Sequence, residues 1–66
     1  MHIQLNGERR EFASELTVSE LVDQLALTGR RIAVEVNEEI VPRSQHAETR
    51  LTTGDCVEIV HAIGGG

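Results

Sequence analysis

Few side chains in this sequence are equipped for covalent or acid–base chemistry, so their spacing is quickly tested. The chain carries one cysteine, Cys56, and three histidines, His2, His46 and His61. Cys56 and His61 fall at an odd spacing along what reads as one extended strand, where they point to opposite faces and cannot act together as nucleophile and base. The histidines lack the spacing of metal ligands, and a single cysteine gives no zinc framework. Gly64-Gly65-Gly66 is no phosphate loop, because no helix follows it to supply an amide-lined, positive end. The expectation is a chain with no catalytic residue, no metal site and no enzyme activity of its own.

What remains chemically distinctive is the terminus, HAIGGG, residues 61–66. A carboxylate, with a pKa of about 3.5, is fully charged at neutral pH and a poor electrophile, so chemistry there requires activation. Conversion to an acyl-adenylate with ATP would draw the last residue through a passage to a nucleotide. Three residues without a Cβ fit such a passage and reach backbone angles closed to other residues. The alternative is that these glycines are slack, since chain ends fray and tolerate change.

The elements that must position this terminus are legible from periodicity and turn chemistry. His2-Ile3-Gln4-Leu5 alternates, and Asn6-Gly7 signals a two-residue hairpin turn into a second strand, Glu8 to Ala13. That strand is weakly patterned, with Phe12 its large apolar residue and Arg10 on the same face, as expected of an edge. Thr17 and Glu20 have capping-box spacing, and Leu16 and Leu21 are placed as a hydrophobic staple. A helix therefore starts at Val18. Val18, Leu21, Val22 and Leu25 form its apolar stripe, and Gly29 is the expected stop.

Ile32 to Val36 alternates as a strand, Asn37-Glu38 turns, and Ile40-Val41 begins a short strand that Pro42 ends. Ser44 to Glu48 suits one helical turn, Thr53-Gly54-Asp55 another reversal, and Cys56 to Ala62 the last strand. The expected fold is α+β: a mixed sheet of about five strands packed on one main helix. Residues 1–62 form one domain, followed by a flexible glycine tail, 63–66. The expected core is Ile3, Leu5, Phe12, Val18, Leu21, Val22, Leu25, Ile32, Val34, Val36, Ile40, Leu51, Val57 and Ile59.

Composition narrows the partners. A chain of 66 residues has too little core for two domains or an internal substrate pocket. Its formal charge of −5 argues against nucleic acid and favours basic protein surfaces. All six basic residues are arginine. The start, MHIQLNGERR, has no apolar targeting region, no run approaches a membrane span, and the lone cysteine suits a reducing compartment, so the expected location is cytoplasmic.

This element order ending in bare glycines resembles the ubiquitin-like β-grasp family and, within it, the ThiS family of sulfur carriers. The likeness spans the whole chain. It rests on Asn37 with Ile40-Val41-Pro42-Arg43, on Gly54-Asp55 with Val57-Glu58-Ile59, and on Gly64-Gly65-Gly66. The sequence departs at His46, where many members carry tryptophan. The resemblance implies that a ThiF-type enzyme adenylates Gly66 with ATP, that a sulfur-donating enzyme supplies sulfur, and that a terminal thiocarboxylate results. A ThiG thiazole synthase then accepts the tail to build the thiazole of thiamin, with Ile63, Gly64 and Gly65 threading into the partners.

The resemblance also implies that such a carrier holds no cofactor itself. Val60, with Glu58 and Ala62 on the same face of the last strand, is the expected docking surface, because ubiquitin-like proteins meet activating enzymes through an apolar patch there. Glu35, Glu38 and Glu39 are the acidic candidates for steering. Three other readings remain: a sister carrier serving molybdopterin or transfer-RNA thiolation, a ubiquitin-like interaction module that carries no sulfur, and a small enzyme, against which the absence of a nucleophile and base pair speaks.

Overall fold

Asn6 and Gly7 take φ angles of 50° and 83°, the pair of positive values that a two-residue hairpin turn matched to strand twist requires. They join β1 (His2–Leu5) to β2 (Glu8–Glu11), with Ile3 opposite Arg10 and Leu5 opposite Glu8. Asn37 and Glu38 repeat the device at 51° and 71° between β3 (Ile32–Val36) and β4 (Glu39–Val41). The computed structural model describes residues 1–62. The expectations for Ile63, Gly64, Gly65 and Gly66, including the flexible tail, fall outside the described residues.

Helix α1 (Val18–Gln24) opens on the expected capping box. The Thr17 hydroxyl accepts from the Glu20 amide at 3.1 Å, and the Glu20 carboxylate accepts from the Thr17 amide at 2.8 Å. The helix closes earlier than Gly29. Ala26 adopts a left-handed φ of 61°, its amide donates to the Asp23 carbonyl, and the Leu27 amide reaches back to Val22. This crossed pair satisfies the last carbonyls and folds Leu27 back against the core. Gly29, at φ 83°, instead serves a separate turn closed by the Arg30 amide on the Leu27 carbonyl.

The sheet has five strands in the order β2-β1-β5-β3-β4. β5 (Cys56–His61) lies in the middle, parallel to β1 and antiparallel to β3. The 3-10 turn Arg43–Gln45 is shorter than the helical turn expected over Ser44 to Glu48, and the Glu48 and Thr49 amides return to Gln45. β2 stops at Glu11 rather than Ala13, although Phe12 still exchanges bonds with Met1.

The buried core comprises Ile3, Leu5, Leu16, Val18, Leu21, Val22, Val34, Leu51, Val57 and Ile59, with Phe12, Leu25, Ile32 and Val36 half-buried around it. Ile40, expected inside, is 71% exposed. The turn at Asn37–Glu38 pairs Val36 with Glu39, Glu35 with Ile40 and Val34 with Val41. Residues directly opposite share a face, so Val41 joins the core side and Ile40 must project outward.

The Asn6 side chain does the work of a peptide group. Its Oδ1 accepts from the Ile59 amide at 2.8 Å and its Nδ2 donates to the Ile59 carbonyl at 3.1 Å, extending the ladder beyond the end of β1. Asn6→Gly keeps the backbone angle and removes both bonds. It is expected to lower unfolding free energy by about 1–3 kcal/mol in urea titration and to accelerate exchange of the Ile59 amide.

Candidate functional site: the last strand and its open face

The last strand is built to be held from both sides. On the β1 side, the Gln4 amide donates to Asp55 and the Asn6 amide to Val57, each at 2.9 Å. At its start, the Asn37 amide donates to the Cys56 carbonyl at 2.7 Å, while Asn37 Oδ1 accepts from the Cys56 amide at 2.9 Å. Asn37 Nδ2 donates to Asp55 Oδ1, and the other Asp55 oxygen accepts from the Thr52 amide at 2.8 Å. The Ala62 amide still donates to the Arg31 carbonyl at 2.9 Å, one residue past the end of β5. Strand pairing thus fixes the chain up to the residue before the terminal IGGG.

Helix α1 covers one face of the sheet and leaves the other open. Along β5, Val57 and Ile59 are buried, whereas Cys56, Glu58 and Val60 are exposed. Register places Ala33 opposite Val60, Glu35 opposite Glu58, and Ile40 opposite Glu35. The open face therefore carries Val60, 54% exposed, and Ile40 as its large apolar residues. Glu58 and Glu35 lie side by side between them.

Like charges directly opposite on neighbouring strands are destabilising. Among the described residues the sole ion pair, Arg9 with Glu11 at 4.0 Å, is on β2 and does not relieve them. Of the acidic residues expected to steer partners, Glu35 lies on this face, Glu38 in the turn, and Glu39 opposite Val36 on the other face. Val60 and Glu58 share the open face, and Ala62 is exposed just beyond them.

Neither the bidentate hold of Asn6 on Ile59 nor the outward position of Ile40 is among the sequence expectations. The signal for the first was an asparagine at a turn position, where the side chain readily bonds nearby backbone. The signal for the second was the register imposed by a two-residue turn. Cys56 is a free, exposed thiol. Among the described residues no cluster of three or more His, Cys, Asp or Glu could hold a metal ion, and no helix is long and apolar enough to cross a membrane.

A five-stranded mixed sheet, one helix across a single face, and a C-terminal strand at the centre define a ubiquitin-like β-grasp domain. Within that class the sequence model of the ThiS family matches residues 3–66, and the chain belongs to the ThiS family. It is 34% identical over 65 residues to the sulfur carrier protein ThiS of Bacillus subtilis, covering 97% of this chain and 98% of that one. It is 46% identical over all 66 residues to a thiazole synthase of Paramagnetospirillum magneticum, of whose length it spans 20%. The crystal structure of the thiamine biosynthesis protein ThiS from Geobacter metallireducens superposes with a TM-score of 0.88 at 30% identity, covering both chains completely.

The exposure of Val60 and Ile40 makes them separable from the fold. Val60→Thr and Ile40→Thr, which retain a β-branch, are each expected to change unfolding free energy by less than about 0.5 kcal/mol. Val34→Thr, which buries a hydroxyl at a position 1% exposed, is expected to cost about 1–3 kcal/mol in the same titration.

Proposed function

We propose that this chain carries sulfur on the carboxylate of Gly66 for assembly of the thiazole of thiamin. The observation that carries this reading is the ThiS family match, which continues through Gly66 and so takes in the glycines as well as the domain. An adenylating enzyme of the ThiF type first joins the Gly66 carboxylate to the α-phosphorus of ATP, releasing pyrophosphate. The carbonyl carbon of the mixed anhydride is then electrophilic. A sulfur donor at the oxidation level of sulfide forms the new C–S bond as the C–O bond to AMP breaks, leaving a thiocarboxylate.

The domain contributes no acid or base to these steps; it presents the reacting terminus and a surface by which partners align it. Strand pairing holds the chain through Ala62 and so sets where the reacting segment begins; positioning of this kind is a large part of rate enhancement. Absence of a Cβ at residues 64–66 leaves the carbonyl open to attack. Likeness to 66 residues of a thiazole synthase supports a ThiG-type synthase as the acceptor, in preference to molybdopterin or transfer-RNA thiolation.

Incubation with a ThiF-type enzyme, ATP and a persulfide source with thiol is expected to replace one oxygen of the Gly66 carboxyl by sulfur, read by mass on the C-terminal fragment. Gly66→Val should remain folded yet accept sulfur at least about a hundredfold more slowly, because its branched Cβ displaces the reacting carbon from attack geometry. Val60→Asp should weaken binding to the activating enzyme while leaving the domain folded. Sulfur mapping to Cys56 as a persulfide, or loading of Gly66→Val at the native rate, would refute terminal loading.

A further inference from the structure

At the end of the sheet where β5 hands on to Ala62, but on the helix side, lies an open cleft of about 190 Å³ between α1, the 27–30 turn and the 43–47 segment. Val22, Leu27 and Ile32 are its apolar lining, and Arg30 and Arg43 are the cationic residues that line it, with His46 beside them. Its position beside the chain exit follows from pairing. Ile32 sits opposite His61, and the carbonyl of Arg31 takes the Ala62 amide.

The charged residues of the lining are basic in an acidic molecule, with one carboxylate beside them, Asp23, whose Oδ1 accepts from the Thr28 hydroxyl at 3.2 Å. The chain has a formal charge of −5, yet two of its six arginines meet at this cleft with no carboxylate within 4.0 Å among the described residues. Arg43 is held in place by donating from Nη2 to the Arg30 carbonyl at 3.0 Å, a bond that orders its guanidinium without neutralising it. His46 is tied through Nε2 to the Val41 carbonyl at 3.1 Å, which fixes the wall between the cleft and β4. A guanidinium presents a planar fork of donors suited to a carboxylate, and gains most where apolar surface excludes water from the pair.

We propose that this cleft receives an acidic side chain, Asp or Glu flanked by an apolar residue, from the protein partner that takes the C-terminal tail. The inference rests on the carrier reading, and it gives the partner a second point of purchase beside the exit of the chain. The open sheet face is acidic around Glu35 and Glu58, and the cleft is basic. A partner carrying basic charge over the sheet and acidic charge over the cleft can dock in one orientation only, which aims the terminus at the reacting centre. Charge complementarity of this kind sets orientation and association rate more than it sets bulk affinity.

Calorimetric titration of the chain into its ThiF-type enzyme, without ATP, tests this. Arg30→Gln/Arg43→Gln is expected to raise Kd about tenfold at low ionic strength and to flatten the salt dependence of the native chain, with thermal melts confirming that these exposed substitutions leave the fold intact. Arg30→Lys/Arg43→Lys should recover part of the loss, keeping charge but losing the fork. Arg9→Gln, on the far edge of the sheet, serves as the control and should bind as the native chain does. Native-like binding by the double glutamine variant overturns the cleft proposal alone. Tight binding of inorganic phosphate at the cleft, with partner affinity unaltered by the variant, overturns it in favour of a small-anion site. A native chain that does not bind the enzyme at all overturns the carrier reading and the cleft proposal with it.

Discussion

The last strand of the chain is also the central strand of its sheet, and its two ladders are the constraint on which the other features depend. Ordering a residue costs roughly 1–2 kcal/mol of backbone entropy, and hydrogen bonds on both sides offset more of that cost than bonds on one. β5 meets this by pairing with β1 in parallel and β3 antiparallel. Where β1 runs out, the amide of Asn6 continues the ladder to Ile59, and Asn37 supplies the matching contacts at Cys56. These two asparagines also make the two hairpin turns, at φ angles of 50° and 51°. One residue type thus reverses the chain and clamps the strand that bears the terminus.

A central last strand leaves the sheet with two unlike faces. One receives α1 and buries Ile3, Leu5, Val34, Val57 and Ile59. The other is left open, with Val60 beside Ala33 and Ile40 beside the adjacent carboxylates of Glu35 and Glu58. Neither the exposed aliphatic groups nor the carboxylate pair serves folding stability. Departures from local rules of this kind are expected at working surfaces, and here they flank the strand that leads to the terminus. β2, in contrast, fills its edge with Glu8, Arg9, Arg10 and Glu11, the charged composition that discourages edge-to-edge association.

Much of this arrangement was legible in the sequence, because its determinants are local. Thr17 and Glu20 announce the helix start, Asn6-Gly7 the first hairpin, and alternation around Val57 and Ile59 the inward face of β5. The misreadings arose where a non-local or geometric rule overrode residue type. Hydrophobicity places Ile40 inward, but the register of a two-residue turn assigns that side to Glu39 and Val41. Gly29 reads as the helix stop, yet Ala26 accepts the left-handed angle because Leu27 gains burial by folding back. Of the site, Val60 and Glu58 could be placed by alternation alone. The cleft at Arg30 and Arg43 could not, since it forms between segments distant in sequence.

In the carrier reading, the chain divides labour with its partners: the domain orients, the terminus reacts, and other proteins supply the activation. This differs from an enzyme, where one fold must hold both the reacting group and its catalysts. The most direct measurement follows a single sulfur atom. Chain loaded with isotopically labelled sulfur, freed of donor and ATP, is mixed with a ThiG-type synthase and its carbon substrates in a single turnover. The label is expected to leave the C-terminal fragment and appear in the thiazole product, one atom for each carrier consumed. Label that stays on the chain while thiazole forms from other sulfur would contradict the carrier assignment.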